Sequence, residues 1–232
     1  MNDQNVDNTS LILETLKEKA VIKQQVYNQT LEVFKSTKKV IKYLISNYKR
    51  QLKDVPEKIS LGYVDKGIFE AEMKIAGDML IFNMHSNVFE FPSDHWIWKN
   101  DYVKNNESNS YCGIINIYNF LADSFKYNRQ NDYGFIIARI FVNREGHYFI
   151  EGNPNFGSIV EDFGVTKLDI SKIREIIQYL IVHTLEVDLL VPAMKDIQVA
   201  TVGQMMDKIN NSKMKTGKPL GFQSNSETQI KL

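Results

Sequence analysis

Lys35, Lys38, Lys39, Lys42, Lys49, Arg50 and Lys53 follow one another with no acid among them until Asp54. A row of cations can do one kind of chemistry, which is to neutralise a polyanion: a phosphate backbone, an anionic membrane surface or an acidic protein. At about 100° per residue all seven lie within roughly 60° of Lys35 on a helix, opposite Val33, Phe34, Val40, Ile41, Leu44, Ile45, Tyr48 and Leu52. Lysine outnumbers arginine in the row, which favours diffuse electrostatics over bidentate phosphate recognition. The plainer reading is a solvated face opposite a core-packing face.

A second candidate lies in a hairpin. Residues 135–142 are apolar except for Arg139, and Arg144-Glu145-Gly146 is a three-residue turn with glycine at the left-handed position. That turn pairs Asn143 with His147 and so sets Arg139 opposite Glu151. On a central strand Arg139 would be buried and would need its partner, because an unpaired buried charge costs several kcal/mol. The pair is either structural or an anion site in which Glu151 holds the arginine. Trp96 and Trp98, at the start of a polar stretch, either plug the end of the core or form an aromatic platform beside that pocket.

Other reactive side chains are scattered. His85, His95, His147 and His183 lack metal-ligand spacing, and the nearest grouping, Glu145, His147 and Glu151, is weak because Glu145 lies in the turn. Cys112 is the one cysteine, with no base visible nearby in sequence. The chain has no glycine-rich phosphate loop, nucleophile elbow, HExxH, CxxC or dinucleotide fingerprint. No catalytic residue, metal or cofactor is therefore expected, and the balance leans away from an enzyme.

The elements that must position these residues follow from periodicity. Leu13, Leu16, Ala20, Tyr27, Leu31, Phe34, Ile41, Leu44, Ile45, Tyr48 and Leu52 recur at steps dominated by three and four, which predicts one helix over residues 10–53. Thr9 or Ser10 would cap it, and Pro56 stops it. About 43 residues at 1.5 Å make a rod of roughly 65 Å, longer than the roughly 45 Å diameter of a 232-residue body. The rod must overhang and be covered, or fold back at its weakest stretch, Asn28-Gln29-Thr30. Lys23 and Lys38 fall near seam positions and spoil a regular heptad.

After Pro56 the period changes to two. Strands are predicted at 59–64, 69–75, 79–85, 88–91, 113–120, 135–142 and 147–151, joined by short turns such as Gly77-Asp78, hence an antiparallel meander. Residues 93–110 read as a long irregular loop. Asp169 or Ser171 caps a helix that runs to about Val187, and a shorter helix is expected over 201–210.

The resulting expectation is an α+β protein: a long N-terminal amphipathic helix (1–55), an α+β domain (56–210) with an antiparallel sheet of six or seven strands and a C-terminal helix packed on it, and a mobile polar tail (211–232). A composition of 43% hydrophobic and 24% charged residues excludes disorder and a disulfide scaffold. The single cysteine and the lack of a signal peptide or apolar span point to a soluble cytoplasmic protein. The net charge of zero is a cancellation: residues 8–58 carry +6, 1–7 carry −2 and 59–232 carry −4. The expected function is a non-enzymatic binding or adaptor protein that self-associates, as a homodimeric coiled coil, or docks a protein partner through the first helix. Nucleic-acid binding along the basic stripe and small-anion binding near Arg139 are the alternatives.

Overall fold

The computed structural model describes residues 8–152 and 163–189. The N-terminal rod forms: helix α1 (Asn8–Thr15) passes through one π-helical turn (Leu16–Ala20) directly into α2 (Val21–Gln51). Helical dihedrals at Thr15, Ala20 and Val21 keep the axis unbroken. Because α1 begins at Asn8, Thr9 and Ser10 lie inside it rather than at its cap. The alternative, a fold-back at Asn28-Gln29-Thr30, does not occur. Gln24 donates to the Asn28 side chain at 2.9 Å, and the buried Thr30 hydroxyl donates to the Val26 carbonyl at 2.8 Å. These polar groups are satisfied within the helix, and packing overrides their weak propensity.

Past Leu52 and Pro56 the chain turns into a six-stranded antiparallel meander in sequential order: β1 (Leu61–Asp65), β2 (Glu70–Ile75), β3 (Asp78–Met84), β4 (Cys112–Leu121), β5 (Phe135–Asn143) and β6 (Tyr148–Gly152). The expected strand over 88–91 is reduced to an isolated bridge between Phe89 and Cys112. The hairpin register is as read from the turn: Asn143 N–H donates to the His147 carbonyl, Gly146 has φ of 84°, and Arg139 faces Glu151. One β-bulge between Ile117 and Tyr118 leaves Ile137 unpaired on β5.

The inner face of the sheet carries the main core. Phe34, Ile41 and Leu44 of α2 meet Met73, Leu80, Phe82, Ile115 and Ile117 of the sheet, all at most 2% exposed. Helix α5 (Ile170–Glu186), capped by Asp169 accepting the Lys172 N–H at 2.8 Å, adds Ile173, Ile176, Ile177 and Leu180. The second half of the N-terminal helix is thus part of the same core as the sheet.

Among the described residues the outer face is covered at one end only. The stretch expected as an irregular loop contains two 3-10 turns (Trp96–Lys99 and Glu107–Ser110) and a short helix α3 (Asp101–Asn105). His95, Asn100 and Asn106 cap them by accepting backbone N–H groups. This unit sets Ile97 and Val103 over Ile114, Phe141 and Phe149 as a second small core. Coverage of β5 stops at Phe141, so Ile136 and Arg139 are exposed, and the expectation of a strand buried on both sides holds over part of its length. A short helix α4 (Ala122–Lys126) follows β4. The helix expected over 201–210 and the tail lie outside the described residues.

One group in the main sheet is out of keeping with its surroundings. Asn119, between Leu80 and Phe135, is buried, and neither of its amide atoms has a hydrogen-bond partner among the described residues. Burying an unsatisfied amide costs about 1–3 kcal/mol. Replacing Asn119 with leucine should therefore raise stability by about 1 kcal/mol or more, read as a higher urea midpoint at unchanged slope. A lower midpoint would mean that the amide is satisfied in solution.

Candidate functional site

The basic stripe forms on the helix, but not as one free row. Lys38 turns toward the β1–β2 turn, where its ammonium reaches the Asp65 carboxylate at 2.7 Å and the Gly67 carbonyl. The hydrogen bond from Lys38, with a second from Gly67 N–H, holds the Asp65 carboxyl below the usual range. Lys35 bridges Glu32 at 2.7 Å, and Arg50 donates to Asn47 at 2.8 Å. Lys39, Lys42, Lys49 and Lys53 make no ion pair among the described residues. Lys49 and Lys53 line a cleft of about 270 Å³ between the last turn of α2 and the segment that enters β1. Lys58 lines the same cleft and escaped the sequence reading, because it lies beyond Pro56 and off the helical wheel.

Arg139 and Glu151 do pair, on the open outer face of the sheet. Arg139 is not buried, as the apolar strand implied: its side chain is 46% exposed and stacks over the Phe141 ring at 5.3 Å. The unit that covers Phe141 ends before it reaches Arg139. Glu151 has a second neighbour that the sequence did not reveal. His95 accepts the Ile97 N–H on Nδ1 at 3.3 Å, which leaves Nε2 toward Glu151 at 3.6 Å. Trp96 lies alongside, edge-on to Phe149 at 5.0 Å and 45% exposed. The residue that plugs the second core is Ile97, between the two tryptophans. Trp98 donates its indole N–H to the Pro92 carbonyl at 2.9 Å and packs at the edge of that core. Arg139 and Glu151 also line a shallow cleft of about 140 Å³ with Ile136, Ile137, Ala138 and Gly152. The strand registers place Glu70, Asn83, Asn116, Arg139 and Glu151 in one polar row across the sheet.

A third cluster ties the 96–110 unit to the hairpin turn. Tyr102 donates to Glu145 at 2.7 Å and accepts from the Asn143 amide at 2.9 Å. Arg144 donates to Asn109 at 3.1 Å, and the His147 ring lies 3.1 Å from the Thr166 carbonyl. Burial, then the hydrogen bond to Glu145, pushes the Tyr102 phenol well above its ordinary range. With its members bonded to one another, the cluster acts as a brace for the turn. Cys112 is fully buried beneath it, and burial pushes its thiol far above the range at which a thiolate nucleophile forms. Among the described residues no three His, Cys, Asp or Glu side chains gather as metal ligands, and no helix is long and apolar enough to cross a membrane.

The remaining feature is the free end of the rod. Residues 8–20 contain no buried side chain, and Leu11, Ile12, Leu13, Leu16 and Val21 are 47–57% exposed. Lys19 and Lys23 lie 5.9 and 5.5 Å from the Tyr111 ring, which marks where the rod leaves the body. The π-helical turn adds a residue to the helical repeat here, so the apolar side chains before it are rotated relative to those of α2.

No family model, curated protein or solved structure matches this chain.

Proposed function

We propose that this protein is an association module that pairs with a second copy of itself through the projecting first part of its N-terminal helix. The observation that carries the reading is the run of five large, half-exposed apolar side chains on a helical segment that touches little of its own body. Single exposed apolar residues need no explanation, whereas a contiguous group on one rod marks a surface that another molecule covers. Charge does not oppose pairing of like copies. Glu14 and Glu18 nearly balance Lys17, Lys19 and Lys23, leaving residues 8–25 with a net charge of +1. The alternative in which the basic stripe tracks a nucleic-acid backbone is weakened, because Lys35 and Lys38 are occupied by Glu32 and Asp65.

The test is solution mass by light scattering at micromolar concentration. The natural chain should show twice the mass of one chain, and Ile12→Glu/Leu16→Glu should show the mass of one chain with unchanged circular dichroism. A natural chain of single mass would sink the proposal. Deleting residues 1–55 is not a usable control, because it removes Phe34, Ile41 and Leu44 from the main core.

A further inference from the structure

At the far end of the N-terminal helix the chain builds a pocket with a different chemistry. Helix α2 stops at Gln51, Leu52 N–H bonds back to the Tyr48 carbonyl, and Val55 N–H closes a turn on the Leu52 carbonyl. The chain then runs past Pro56 toward β1, leaving the cleft of about 270 Å³ between that segment and the last helical turn. Lys49 and Lys53 approach it from the helix side, and Lys58 from the segment before β1. None of the three makes an ion pair among the described residues. Among the described residues Glu57 is the one acid that lines the cleft, so the described lining side chains carry a net charge of +2. Between the lysines lie Leu52, Val55 and Ile59, 37–42% exposed.

The helix end accounts for part of this. Its last carbonyls carry partial negative charge and favour cations in the final turn, which explains Lys49 and its neighbour Arg50. It does not explain Lys58, which lies several residues past the helix and still lines the same cleft. Three ammonium groups from two backbone segments are point-charge donors that can gather on the oxygens of one phosphate without the fixed fork geometry of arginine. The exposed apolar side chains beside them would cover a hydrocarbon part of the same molecule.

We propose that this cleft binds a phosphate-bearing amphiphile, with Lys49, Lys53 and Lys58 on the phosphate and Leu52, Val55 and Ile59 against its apolar portion. The chemistry is shared by a free phosphorylated amphiphile and by an anionic lipid in a bilayer, and the two sources separate by experiment. Calorimetric titration at about 50 mM salt, where surface charges are only partly screened, would use dihexanoyl phosphatidic acid below its micelle threshold, with dihexanoyl phosphatidylcholine as the matched control. Saturable binding of the first and none of the second is expected. The Lys49→Gln/Lys58→Gln double variant, with unchanged circular dichroism and unfolding midpoint, should weaken binding about tenfold or more. Co-sedimentation with phosphatidylcholine vesicles containing phosphatidic acid, alongside the soluble result, would identify the bilayer as the source, and its absence would identify the free molecule. Absence of saturable binding, equal binding of the choline lipid, or full binding by the double variant would overturn the proposal. So would a single-stranded oligonucleotide that binds through these lysines when the short-chain phosphatidic acid does not.

Discussion

Replacing Phe34 with alanine should cost about 3–5 kcal/mol, the range for emptying a fully buried aromatic site. Phe34 is 0% exposed on the helix face that meets the sheet, in a core shared with α5. Val33, Thr37 and Ile41, its helical neighbours, are buried as well, so few side chains are free to swing into the space. A loss of that size is a large part of the roughly 5–15 kcal/mol that holds an ordinary domain folded. The consequence reaches beyond one residue. Because α2 and the sheet share this core, the N-terminal helix and the strands should unfold together, in one transition seen by helical circular dichroism and by tryptophan fluorescence alike. Two separated transitions, or a loss below 1 kcal/mol, would show that the helix is docked only loosely.

Replacing Gly113 with valine should be nearly as damaging, for the opposite reason. Gly113 lies on β4 where α2 passes closest, and a Cβ there would come within 2.2 Å of the Thr30 hydroxyl and 2.8 Å of its Cβ and methyl carbons. No rotamer of valine escapes that contact, so helix and strand must separate. Overpacking a core costs typically 1–3 kcal/mol, occasionally more, and the opened gap also breaks contacts on either side. The milder Gly113→Ala should lose less. Thr30→Ala should restore part of that loss, because it removes the hydroxyl and methyl groups and leaves only a Cβ at 2.8 Å. Urea midpoints of the two single variants and the double variant give the coupling directly. Additive losses would mean that the helix and β4 do not approach so closely in solution.

The parts of this fold that the sequence announced are those governed by local periodicity. The helical spacing of Phe34, Ile41, Leu44 and Ile45 matches the buried face of α2, and the alternation of Ala71, Met73 and Ile75 with Glu70, Glu72 and Lys74 matches the burial along β2. The three-residue turn at Gly146 fixed the pairing of Arg139 with Glu151, because hairpin register follows from loop length alone. What failed depended on neighbours distant in sequence. Asn28-Gln29-Thr30 looked like a break because propensity is local, yet Thr30 is held against Gly113 of a strand more than eighty residues away. Arg139 looked buried because its flanking residues are apolar, yet the unit that covers Phe141 ends before reaching it. His95 had no visible role until the fold set its ring near Glu151.

The sequence by itself determined a long amphipathic rod, an antiparallel meander, a C-terminal helix and a basic face on the rod, because each is written in spacing or in turn chemistry. Only the tertiary structure decided which half of the rod is core and which half projects, and which of its lysines are free. Those outcomes depend on where the sheet ends beneath the helix, and on long-range partners such as Asp65 for Lys38. Periodicity states which way a side chain faces along its own element, and it carries no information about what stands opposite.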